Sequence, residues 1–186
     1  MKTKTTVEIL LKSLDFTGIP EKRLLISRNL LTVDLIWPRV GVARKSASRQ
    51  IKMKKGAAVF TGEPWAKRIL HREEIDGHTA FAVSLTEPVS LQKLHRFLQL
   101  TAKLALREGA EMVDAMCVSY GDIAAAPVTA LATMVGEKDA PRIIAQGVLD
   151  YDDLPAAGEE REVVIPLERP KTARAVGSLT LTVRAS

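Results

Sequence analysis

The chain has 186 residues, of which 46% are hydrophobic and 26% charged, and a formal net charge of +5, a balance that suits one globular domain with a real core. A single cysteine, Cys117, excludes an internal disulfide and any cysteine-based zinc site, and an aromatic content of 4% argues against a base-stacking surface for single strands or RNA. No run approaches the ~18 uninterrupted apolar residues of a spanning helix, so no transmembrane segment is expected, and with no secretory signal visible the expected location is cytoplasmic.

The first third reads as strands. In TTVEILLKS, Val7, Ile9 and Leu11 alternate with Glu8, Leu10 and Lys12, the period-two signature of a half-buried strand. LDFTGIP follows as a turn punctuated by Gly18 and Pro20. RLLIS and LLTVDLIW are β-rich runs separated by Arg28-Asn29, with Pro38 ending the second. RQIKMKKGAAVF reads as a further strand, closed by the break from Gly62 to Pro64. In LHREEIDGHTAFAVSL, residues 70–85, Asp76-Gly77 between alternating segments is a strong hairpin signal.

From 91 to 108 the period changes. Leu91, Leu94, Leu98, Thr101, Ala102 and Ala105 fall on one arc of a helical wheel, with Ser90 as N-cap and Gly109 as terminator. A second helical stretch is expected around Val128 to Val135. Strands resume in RIIAQGVLDY, REVVIPL and GSLTLTVR, the last with Leu179, Leu181 and Val183 on one face. This order predicts a single α+β domain over 1–186, mainly an antiparallel β-sandwich, with a helical segment inserted at 91–135.

Three clusters are candidate sites. The expected hairpin at Asp76-Gly77 places Leu70, Phe81, Val83 and Leu85 on the core face, and His71, Glu73 and His78 on the other. His71 and His78 then lie roughly 13 Å apart, at ~3.3 Å per residue. That is too far for one ion bound at about 2 Å, so a solvated hairpin face carrying a Glu73–His78 pair is expected.

The second cluster is basic. Between Leu35 and Gly62 stand Arg39, Arg44, Lys45, Arg49, Lys52, Lys54 and Lys55 with no acid among them. Gln50, Lys52 and Lys54 share one strand face, opposite Ile51 and Met53. Such a face can contact several phosphates or carboxylates, and it can equally be an edge strand protected by lysines. Arg44, Lys45, Arg49, Lys52 and Lys54 are the candidate anion-binding residues, with an anionic lipid or an acidic protein surface as partner. Nucleic acid is disfavoured, because no helix-turn-helix, zinc finger or basic helix accompanies the patch. Trp37 and Trp65 flank it and read as core anchors.

The third cluster is LDYDDLP, where Asp150, Asp152 and Asp153 follow an apolar strand. Carboxylates at this spacing can share a hard cation. These residues, with VVIPLERP and GSLTLTV after them, resemble the C-terminal part of a C2 domain. The resemblance spans roughly 40 residues, and it implies a β-sandwich with calcium at Asp150, Asp152 and Asp153 and a lysine-rich phosphoinositide-binding strand at 50–54. Asp15 stands alone in SLDFTGIP, where that family carries further calcium-loop aspartates.

Catalytic motifs are thin. Cys117 sits in the apolar DAMCVSY, the setting of a packed thiol, and His95 borders the apolar face of its helix. Neither a Gly-x-Ser-x-Gly elbow, a His-Glu-x-x-His pair nor a P-loop occurs, and no cofactor is expected. The sequence therefore favours a non-enzymatic binding or scaffold module that meets an anionic partner through its basic strand. Two alternatives stand beside it: a structural subunit of a homo-oligomer, and a hydrolase whose site is assembled from distant residues.

Overall fold

The computed structural model describes residues 5–17, 27–39, 41–75, 78–88 and 142–185. Among these residues nine strands and one helical turn follow in order: β1 (Thr5–Phe16), β2 (Ser27–Arg39), β3 (Gly41–Met53), β4 (Ala57–Val59), α1 (Trp65–Arg68), β5 (Ile69–Ile75), β6 (Thr79–Pro88), β7 (Ile143–Tyr151), β8 (Glu160–Glu168) and β9 (Ala175–Ala185). All the pairings are antiparallel, in one sheet ordered β3-β2-β6-β7-β8-β9-β1-β4, with β5 also on β1.

The expected α+β sandwich is therefore corrected to a nearly closed, barrel-like antiparallel sheet that has, among the described residues, almost no helix. Among the described residues the helical content is α1, and it is four residues long. The helix at 91–108, the stretch around 128–135, and His95 and Cys117 lie outside the described residues. The sheet curls because β1 is long enough to hold partners on both sides. It pairs with β9 from Val7 to Phe16, while its other edge takes β5 at Thr5–Leu10 and then β4 at Ser13–Asp15. In the gap between β5 and β4, Arg68 Nε donates to the Leu11 carbonyl at 3.1 Å and the Phe60 N–H to the Lys12 carbonyl at 2.9 Å, so no acceptor there is orphaned.

Closure comes from a tight turn. Lys54 and Ala57 exchange backbone hydrogen bonds of 2.9 and 3.1 Å, and Lys55 and Gly56 between them have φ of 53° and 83°. Two successive positive φ values define a type I′ turn, whose twist matches that of paired strands. The sequence expectation of one strand through RQIKMKKGAAVF thus becomes β3, turn and β4, and this hairpin ties one end of the sheet to the other.

The expected hairpin at Asp76-Gly77 does not form a ladder. Those two residues lie outside the described set, β5 pairs with β1, and β6 pairs with β2 and β7. His71 consequently stands opposite Ile9 and Glu73 opposite Val7, both of which face the core. The face of β5 is the reverse of that expected: His71 and Ile75 are buried, and Leu70 is half-buried. A local turn signal yields here to long-range pairing along β1.

One core fills the interior. Val7, Ile9 and Leu11 of β1, Val33 and Leu35 of β2, Phe81, Val83 and Leu85 of β6, and Leu179, Leu181 and Val183 of β9 meet there. Period-two alternation delivers each set to one face. β2 and β6 are buried on their other face too, where Ile36, Ala80 and Ala82 form a second cluster. The thinnest join in the sheet is between β7 and β8, whose ladder is the single pair Gln146↔Glu168. The strands approach closely there, since a Cβ on Gly147 would lie 2.3 Å from the Pro166 carbonyl oxygen.

Candidate anion-binding surface on β3

β3 ends the strand order, and its alternation splits the basic cluster between two faces. Ile51 and Met53 point into the core, whereas Lys52 and Lys54 are exposed and Gln50 half-exposed. Lys45 and Arg49 lie on the same side of the strand as Ile51, because Lys45 pairs across Leu35 and Arg49 across Leu31, both buried. The backbone of Arg44 is opposite Ile36, and its side chain lies outside the described part. The five candidate residues therefore do not form one surface.

Lys45 and Arg49 are engaged in holding the open side of the barrel. Lys45 Nζ meets Glu73 Oε1 at 2.5 Å, and Arg49 Nη2 donates to the Ile69 carbonyl at 3.2 Å, so both reach from β3 to β5. Arg49 Nη1 is buried and has no acceptor among the described residues. His71 adds a third tie, with Nε2 2.9 Å from the Val33 carbonyl oxygen of β2. A carbonyl can only accept, so Nε2 carries the proton. Burial pushes the His71 pKa below its ordinary value, against the opposing effects of that hydrogen bond and of the Asp34 and Glu73 carboxylates.

The exposed cations are differently placed. Lys52, Lys54, Lys55 and Lys67 have no ion-pair partner among the described residues. Lys67 comes from α1, which follows the Gly62–Pro64 break. Between β3 and the β4–α1 segment lies a groove of about 440 Å³, lined by Arg49, Gln50, Lys52, Val59, Phe60 and Lys67 among others. Its acidic member is Glu63. Val59 is 69% and Trp65 45% exposed, so the groove has uncovered apolar surface close by. Trp37 is a core residue as expected, whereas Trp65 is not. Sequence reading missed Val59, Phe60 and Lys67, although PWAKR placed an aromatic beside two cations directly after the turn.

The acidic cluster is spread along the end of β7. Asp150 is exposed and paired across Ala80, Asp152 meets His78, and Asp153 meets Arg161. Each ion pair occupies an oxygen a cation would need, and no group of three or more potential metal ligands gathers among the described residues. Tyr151 between them packs on Phe81, with ring centroids 5.8 Å apart, and burial raises its pKa with a further push from Asp153. The expected Glu73–His78 pair is replaced by Glu73–Lys45 and His78–Asp152.

No protein-family model matches the chain, and no curated protein matches it. No helix among the described residues is long and apolar enough to cross a membrane.

Proposed function

We propose that the protein is a non-enzymatic binding module that holds an anionic partner on the outer face of β3. The observation that carries this reading is the contrast between two sets of cations on one strand. Lys45 and Arg49 are spent on β5, whereas Lys52, Lys54 and the adjoining Lys55 and Lys67 are free of acidic partners among the described residues. Exposed cations paired with nearby carboxylates contribute little field; unpaired ones on a rigid strand add their potentials and attract an anion over about a Debye length.

A rigid ladder also keeps the entropic cost of ordering the surface low, since β3 pairs with β2 over its whole length. Heparin serves as a general polyanion for the test. The wild-type chain is retained at moderate salt and released as salt rises, and Lys52→Glu with Lys54→Glu abolishes the retention. Undiminished retention of the double variant would refute the reading.

A further inference from the structure

The groove beside β3 has two features that a merely charged surface lacks. First, among the described residues no strand pairs with the far edge of β3 between Gly41 and Met53, while β4, on the opposite side, is three residues long and engaged with β1. The two edges meet at the Lys54–Ala57 bridge and diverge from there around the groove. Second, the groove offers Val59, which is 69% exposed, as apolar surface above the buried Phe60, with Lys52 and Lys67 on its two walls.

Open strand edges bind extended chains by backbone pairing, with alternate side chains setting specificity. Arg49 to Lys52 spans roughly 10 Å at ~3.3 Å per residue, room for a short added strand. The charges decide which strand. A second copy of β3 would bring its own lysines and be repelled. A bilayer surface could neutralise Lys52 and Lys54, yet it has no backbone groups for the strand edge. An acidic chain supplies both.

We infer that the groove between β3 and β4–α1 takes an extended acidic polypeptide segment, which adds to the edge of β3 and places carboxylates against Lys52 and Lys67. This rests on the anion-binding reading and narrows its partner to a polypeptide.

The test uses the whole chain and a fluorescein-labelled, end-blocked decapeptide of alternating Glu and Val, followed by anisotropy. Two versions N-methylated on alternate residues each lose the hydrogen bonds of one edge while keeping every charge. The parent peptide binds saturably, and one N-methylated version binds at least tenfold more weakly while the other is unaffected. Lys52→Glu with Lys67→Glu weakens the parent at least tenfold, and a Lys/Val decapeptide does not bind. Equal binding of both N-methylated versions overturns strand addition. Binding to phosphatidylserine vesicles without binding to the peptide overturns the inference and leaves the anion-binding reading standing. Failure of peptide, vesicles and heparin together overturns both.

Discussion

His71 Nε2 lies 2.9 Å from the Val33 carbonyl oxygen, so a buried imidazole on β5 is tied to the backbone of β2 across the open side of the barrel. Together with Lys45–Glu73 and Arg49–Ile69, this closes with side chains a junction that backbone ladders leave open. The anion-binding proposal depends on it, because these ties fix which cations on β3 remain for a partner.

His71 makes stability pH-dependent. Its folded-state pKa is lowered, chiefly by burial, relative to an unfolded value near 6.5. The unfolded chain therefore takes up the proton first as pH falls. The stability due to neutral His71 is complete above about pH 6.5 and is lost as pH falls through the folded-state pKa. Urea midpoints measured at about pH 7.5 and pH 5.5 should drop at the lower pH. His71→Gln, whose amide can still donate to Val33, should show a smaller drop. An equal drop in both chains assigns the acid sensitivity to other groups.

Core packing predicts a sharp contrast between two positions. Phe81 is fully buried and packs on Tyr151, whereas Val164 of β8 is 55% exposed. Phe81→Ala should cost about 3–5 kcal/mol, while Val164→Ala should stay within about 0.5 kcal/mol of wild type. Denaturant unfolding measures both.

Gly177 stands at φ 153° opposite Phe16, and a Cβ there would lie 2.0 Å from the Asp15 carbonyl oxygen. Gly177→Ala must push β9 away from β1, and a loss of about 2 kcal/mol or more is expected. At Gly62 an added Cβ meets nothing within 4 Å, and Gly62→Ala should change the thermal midpoint little.

The strand faces were legible in the sequence wherever alternation was clean. Val7, Ile9 and Leu11, Leu179, Leu181 and Val183, and Ile51 and Met53 are all buried as their spacing implies. Phe81, Val83 and Leu85 also kept the expected face, although the hairpin that was expected to place them did not form. The partner of each strand was not legible. Asp76-Gly77 carries the stronger turn signal, yet the strands on either side of it do not pair with each other, while a type I′ turn stands at Lys55-Gly56, where lysine takes a positive φ that its type rarely adopts. Pairing of β5 with β1 is decided by burying Ile75 and His71 against a strand some 60 residues away, which no window along the chain can report. The same limit hid the site. Lys45 and Lys52 look alike in a run of cations, and their roles separate because Glu73 reaches one of them.

The central claim is that position on β3, rather than net charge, creates the anion-binding surface. The most direct measurement compares the salt needed to elute two double variants from heparin. Lys52→Glu with Lys54→Glu and Lys171→Glu with Arg174→Glu each lower the net charge of +5 by the same amount, and the second pair lies exposed in the β8–β9 turn. Loss of retention in the β3 variant with near wild-type elution of the turn variant is the predicted result. Equal elution shifts in the two would contradict the claim.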